Sequence, residues 1–311
     1  MKKSKYDGIV ILGPTASGKT NLAVSLANVI NGEIISADSR QVYKNLDIGT
    51  GKDLAEYEQF ESPIKHHIIN IISPKEQFYL KDYIPLVYST FDNILEQNCV
   101  PIVCGGTGQY LDVFHKTMND VFIPENLTLR DELKNKELID LITILDAQQN
   151  QIKKLIDIST KKRIIRGIEK CLYLDNHEFI TNYTFNHNLI YFGLNPTISV
   201  RRSRIDKRLK QRLDFGLIEE VELLIASKEI SVERLEKLGL EYLFVAQYLQ
   251  NKLTKIELYE KLRVAIHRYA KRQMTWFRKM EKEGVQIHWL PENSTVEEQI
   301  QVISKLYLED V

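Results

Sequence analysis

The sequence has little that would cross-link a chain or anchor it. Three cysteines in 311 residues, Cys99, Cys104 and Cys171, are too few and too scattered for a disulfide framework. No C-x-x-C pair or histidine-rich spacing offers a zinc site, and His66-His67, being adjacent, are poorly placed to share one ion. A reducing compartment, the cytoplasm, is expected. Long apolar runs are absent as well. After a basic start the first run is Ile9 to Leu12, which flows into a glycine loop and reads as neither a signal peptide nor a membrane anchor. Net charge is also missing: 42 Lys and Arg stand against 42 Asp and Glu, which at first sight argues against a polyanionic partner. What remains, 43% apolar and 27% charged without repeats or low-complexity linkers, is a globular composition. The length suits a large domain with an insertion, or two domains.

Short apolar runs first alternate with helical patterns. Gly8 to Leu12 reads as a buried strand, Lys19 to Ile30 as a helix and Glu33 to Ser36 as a second strand. Lys81 to Gln97 is a helix, Val100 to Cys104 another buried strand, and a Gly-Gly-Thr-Gly loop precedes a helix from Gln109. This order predicts an α/β fold with a parallel sheet flanked by helices. Strand signals then stop, and Leu129 to Leu145, Ala147 to Ile156 and Ser159 to Tyr173 read as helices of an insertion. The expected division is a core of residues 1–120 and 187–311 with a helical insertion at 121–186. Within the second core segment, Leu189 to Leu194 is a strand; Val200 to Leu224, Val232 to Leu249, Lys255 to Lys282 and Thr295 to Leu306 are helices.

The loop after the first strand, Gly13-Pro14-Thr15-Ala16-Ser17-Gly18-Lys19-Thr20, fits G-x-x-x-x-G-K-[ST] and makes the sheet P-loop NTPase-like. Backbone N–H groups and a helix N-terminus converge there on phosphate oxygens. Lys19 adds a point charge, and the Thr20 hydroxyl is placed to ligate Mg2+. Such a loop takes a pyrophosphate-like group, from a nucleoside triphosphate or an allylic diphosphate alike. The strand Val100 to Cys104 is followed by Gly105 rather than a metal-binding acid, and no N-K-x-D motif reads a base, so a transferase is favoured over an energy transducer. The second strand runs into Asp38. Ligands bind at the carboxyl ends of strands in open α/β sheets, where this carboxylate could hold Mg2+ through water, act as a general base or cap the next helix.

Four motifs in order, GPTASGKT, ADSRQVYKNLDIGTGK at 37–52, CGGTGQY at 104–110 and AKRQMTWFRK at 270–279, resemble the tRNA dimethylallyltransferase (tRNA isopentenyltransferase) family, in its bacterial type without a zinc finger. The resemblance implies transfer of a dimethylallyl group from dimethylallyl diphosphate to N6 of the adenine just 3′ of a tRNA anticodon, position 37. It implies Asp38, Thr107 and Lys19 as catalytic groups, with Asp38 taking the N6 proton. Residues Gly13 to Thr20 and Arg208 would cradle the diphosphate, and Arg204 lies one turn before Arg208. The anticodon stem-loop would meet Asp38, Ser39, Arg40, Gln41 and Thr107, then Lys162, Arg163 and Arg166, then Lys271, Arg272, Gln273, Thr275, Trp276 and Arg278. Mg2+ is the implied cofactor and a monomer the expected state. Two departures stand out: Lys162 replaces a family glutamine, and Leu240-Glu241-Tyr242 replaces a glycine just before the tyrosine.

The charge balance hides a local excess. Residues 161–170, 201–212 and 261–282 together hold 20 basic and 3 acidic residues, so the rest of the chain is correspondingly acidic. On the last stretch Lys261, Arg268, Lys271, Arg272 and Lys279 fall largely off the apolar stripe of a helix, a layout that suits a phosphate backbone. A small-molecule or nucleotide kinase would explain the P-loop alone. A prenyltransferase acting on free adenine nucleotides would explain loop and acid but not the basic stretches. An RNA-binding protein with a relict loop would have no need of Lys19, Thr20 and Asp38.

Overall fold

The strand β1 (Gly8–Leu12) is buried at every position, and its GIVIL sequence is the continuous apolar run of a parallel strand covered on both faces. A computed structural model describes residues 4–179, 183–228 and 230–308. In chain order β1 is followed by α1 (Lys19–Ile30), β2 (Gly32–Ala37), β3 (His66–His67), α2 (Leu80–Glu96), β4 (Val100–Gly105) and α3 (Gly108–Asp112). Then come α4 (Leu127–Leu133), α5 (Leu138–Asp146), α6 (Lys161–Leu174), β5 (Leu189–Leu194), α7 (Ile198–Asp214), α8 (Leu217–Ala226) and α9 (Val232–Leu235). The chain ends with α10 (Leu240–Leu249), α11 (Lys255–Lys282), β6 (Ile287–Leu290) and α12 (Val296–Leu308). All strand pairs are parallel, in the order β3-β2-β4-β1-β5-β6, with Ile9 opposite both Ile102 and Ile190. The α/β sheet expected from the sequence is present. Because β4 lies between β1 and β2, the loops that leave these three strands emerge side by side at one sheet edge.

Contacts divide the chain into two units. One comprises the residues up to His115 and from Phe185 onward; the other is Lys116–Thr184. The second unit contains α4, α5 and α6 around a core of Leu133, Leu141, Leu145, Ile164, Ile165, Ile168 and Cys171. Its buried Glu169 accepts two hydrogen bonds from Arg130, at 2.7 and 2.8 Å, one from the Asn126 N–H and one from Arg166. Burial works to raise that carboxyl, but these donors outweigh it and hold it below the ordinary range.

Several predicted elements differ. The segment 147–156 forms a short 3₁₀ turn, Gln151–Leu155, not an α-helix. The helix expected at 129–145 divides into α4 and α5. That expected at 200–224 divides at Gly216, whose φ of 106° ends α7 and starts α8, and that at 232–249 divides into α9 and α10. With two and four residues, β3 and β6 are too short to show a periodic pattern.

Candidate active site

At the end of β1 the P-loop turns on a Ser17 N–H to Pro14 carbonyl bond of 3.2 Å. Gly18 adopts a φ of 92°, a left-handed conformation that glycine takes without a Cβ penalty, and so starts α1. The Ser17 hydroxyl is buried and has no hydrogen-bond partner among the described residues. Two arginines of α7 reach the loop. Arg204 Nη1 donates to the Ser17 carbonyl at 3.3 Å, and Arg208 Nη2 donates to the Thr15 hydroxyl. Burial and the neighbouring Arg212 push the Arg208 guanidinium down to about 10. Burial also holds the Lys19 ammonium below its ordinary value, while Cys104 and Asp38 pull it back up. The loop is therefore lined with desolvated cations, which an incoming anion would relieve. Cys104 lies beneath it, its thiol pushed up to about 12 by burial, and is no nucleophile.

Asp38 follows β2. Its Oδ1 accepts the Arg40 N–H at 2.9 Å, and its second carboxylate oxygen makes no hydrogen bond among the described residues. Thr107 follows β4 and ties the two loops together: its N–H donates to the Ala37 carbonyl at 3.1 Å, and its Oγ1 accepts the Ser39 N–H at 3.2 Å. Gly105 makes this approach possible, because a Cβ there would lie 2.3 Å from the Ala37 carbonyl oxygen. The loop 38–52 is organised by two charges, Lys52 at the end of the second motif and Glu220, which no motif contains. Lys52, fully buried, donates to the Tyr43 carbonyl at 2.7 Å and to Asp47 and Asn70 at 2.5 Å each. Glu220 of α8 accepts the backbone N–H groups of Asp47, Ile48 and Gly49 at 2.9, 2.7 and 3.1 Å, and the Tyr242 hydroxyl at 2.7 Å.

One face of α11 closes the crevice. Tyr269 feels both neighbouring loops: burial together with Asp38 pushes its phenol well up, and Thr107 draws it partly back. Gln273 donates to the carbonyl of Gly106, just before Thr107, and Trp276 lies against Gly108 with its indole N–H donating to Asp112 Oδ1 at 3.0 Å. These positions, spaced by four and three residues, follow the helical repeat along residues 106–108. Tyr269 lies one residue before the fourth motif, and Thr107 is far away in sequence.

Some residues expected to meet RNA have other partners. Gln273 is buried, with its amide oxygen and nitrogen both bonded to protein backbone. Gln41 accepts the Ser36 hydroxyl and donates to the Gly51 carbonyl. The Arg166 guanidinium is held by Glu169 and the Ile123 and Pro124 carbonyls, and Arg163 by Asp157 and Ser159. By contrast Lys162, Lys271, Arg272, Thr275 and Arg278 are exposed, while Ser39 and Arg40 are half-buried beside Asp38. Thr20 stands half-buried at the start of α1. Asp112, His115 and Glu283 bring donor atoms within 4.8 Å of one another, a grouping that includes neither Thr20 nor Asp38. Among the described residues no helix is long and apolar enough to cross a membrane.

Residues 41–280 match the profile of a family described as IPP transferase. tRNA dimethylallyltransferase 1 of Azobacteroides pseudotrichonymphae is 43% identical over 292 residues, 93% of this chain and 94% of that protein. tRNA dimethylallyltransferase 2 of Phocaeicola vulgatus is 42% identical over 303 residues, 97% of this chain and 98% of that one. Among solved structures, the tRNA isopentenylpyrophosphate transferase of Bacillus halodurans superposes with a TM-score of 0.69 at 29% identity, covering 98% of this chain and 97% of that one. A eukaryotic dimethylallyltransferase acting on tRNA shares the fold, with a TM-score of 0.76 at 24% identity, covering 96% of this chain and 78% of its own. The sheet edge with its three laced loops thus sits in a chain that belongs to the IPP transferase family.

Proposed function

We propose that the chain transfers the dimethylallyl group of dimethylallyl diphosphate to N6 of adenine 37, immediately 3′ of the tRNA anticodon, giving N6-dimethylallyladenosine. The observation that carries this reading is the lacing of the P-loop, the Asp38 loop and the Thr107 loop at the ends of three adjacent strands.

The adenine amino group is a weak nucleophile because its lone pair is delocalised into the ring. As N6 bonds to C1 of the dimethylallyl group, the C1–O bond breaks and its electron pair leaves with the diphosphate. The N6 proton passes to Asp38, whose unengaged oxygen suits a general base. Lys19, Arg208 and the loop N–H groups stabilise the departing charge. The Thr20 hydroxyl, a hard oxygen donor beside Lys19, would hold Mg2+, which would supply further neutralising charge for the departing diphosphate.

The tRNA anticodon stem-loop lies, on this reading, against Ser39, Arg40 and Thr107 and the exposed face of Lys271, Arg272, Thr275 and Arg278. The insertion, 121–186, contributes Lys162, while Arg163 beside it is engaged by Asp157 and Ser159. Trp276, Gln41, Gln273 and Arg166 hold the surfaces that do so. The chain acts as a monomer in the cytoplasm. Incubation with labelled dimethylallyl diphosphate and bulk tRNA, with ATP in parallel, tests the reading. Label in tRNA is expected; ATP consumption with unlabelled tRNA would point to a phosphotransferase.

A further inference from the structure

Gln273 sits in a motif whose polar residues were expected to face RNA, yet it is 5% exposed. Its Oε1 accepts the Thr15 N–H at 2.8 Å and its Nε2 donates to the Gly106 carbonyl at 2.9 Å. A single side chain therefore joins the P-loop to the loop that carries Thr107. The fit is tight on both sides. A Cβ on Gly106 would lie 2.3 Å from the Gln273 nitrogen, and Thr15 is gripped a second time through its hydroxyl by Arg208. An amide offers an acceptor and a donor at one end of a neutral side chain, as this site requires. An ionised carboxylate would turn an oxygen toward the Gly106 carbonyl. An apolar side chain would leave the half-buried Thr15 N–H and the buried Gly106 carbonyl without partners.

We propose that Gln273 is a positioning residue for the transfer: it fixes the separation between the diphosphate cradle and the Thr107–Asp38 side of the crevice. The proposal rests on the transferase reading above. Diphosphate affinity comes from groups within the P-loop and from Arg208, and tRNA affinity from the exposed face of α11. Neither set includes the Gln273 amide. The amide sets the distance between two loops, and a misplacement of about 1 Å between reacting groups costs on the order of 100-fold in rate. The loss on removing it thus falls on kcat rather than on binding.

The test compares the full-length wild-type chain with Gln273→Leu and Gln273→Glu in steady-state transfer to tRNA. Titrations of inorganic pyrophosphate and of tRNA are run alongside, and single-turnover amplitude reports the active fraction. For Gln273→Leu the expected result is a kcat lower by about 100-fold per active site, with KM for dimethylallyl diphosphate and both dissociation constants within about threefold. For Gln273→Glu, activity relative to wild type should rise as pH falls, because a protonated carboxyl again both donates and accepts. A kcat within about threefold of wild type, or a loss carried by pyrophosphate or tRNA affinity, would overturn the proposal. If Gln273→Leu fails to fold, the Gln273→Glu ratio decides: a ratio independent of pH overturns it. Wild-type enzyme that leaves tRNA unlabelled sinks the transferase reading instead, a different outcome from labelled tRNA with an indifferent Gln273.

Discussion

Asp38 carries both a structural and a chemical duty, divided between its two oxygens. One closes the turn by accepting the Arg40 N–H, and the other makes no hydrogen bond among the described residues. Asp38→Asn keeps the turn acceptor and loses the base. Transfer should fall by about 10²- to 10⁴-fold while tRNA affinity, measured by filter binding, changes little; a variant with most of its turnover would remove Asp38 as the base. Glu56 allows a prediction of a different kind. Burial and the neighbouring Asp53 push its carboxyl up to about 7, although Lys19 and Arg208 pull it down. Its folded value thus lies above its unfolded one, so the folded chain holds this proton more tightly. The stabilisation is complete below the ordinary 4.5 and is lost as pH rises through about 7. Glu56→Gln should therefore gain thermal stability relative to wild type at pH 8 but not at pH 5. Equal melting-temperature differences at the two pH values would contradict it.

At the scale of elements, legibility follows sequence distance. The P-loop, Asp38 and Thr107 were readable because each directly follows a buried strand, and a parallel sheet puts the carboxyl ends of such strands at one edge. For Gln273 and Arg166 the motif gives residue types while helical phase decides direction, and here that phase turns both toward protein partners. Gln273 shares its buried face with Ile266, Ala270 and Met274, and Arg166 points at Glu169 three residues on. Nothing local marks Glu220, which binds a loop more than 170 residues earlier. Its carboxylate fills a nest of three backbone N–H groups that no other group among the described residues bonds. Glu220→Gln keeps one acceptor oxygen and turns an amide NH₂ toward the remaining donors, so unfolding free energy in urea should drop by about 1–3 kcal/mol. A drop below about 1 kcal/mol would mean that the loop is held mainly by Lys52.

At the scale of the whole molecule, neutrality is produced by two different arrangements of charge. In the insertion the basic stretch is largely neutralised from within. Lys161, Arg163, Arg166 and Lys170 pair with Glu137, Asp157, Glu169 and Asp120, which leaves Lys162 of that run outside an ion pair among the described residues. On α11, Lys271, Arg272 and Arg278 are exposed and likewise make no ion pair among the described residues. Beyond a Debye length of roughly 8 to 10 Å the acidic remainder of the chain does not cancel their field. Counting basic residues therefore overstates the insertion most; on α11, Arg263 and Lys279 are paired with Glu260 and Glu283, but Lys271, Arg272 and Arg278 are not. Removing a cation that neutralises one phosphate of a single-stranded loop should reduce the slope of log affinity against log salt by roughly 0.7. Lys271→Ala, Arg272→Ala and Arg278→Ala should each flatten that slope, whereas Arg166→Ala should lower the melting temperature and leave the slope unchanged. Measuring tRNA affinity across a salt series for all four separates the two arrangements. If Arg166→Ala flattened the slope as much as the α11 variants do, its internal partners would not be what keeps its charge from RNA.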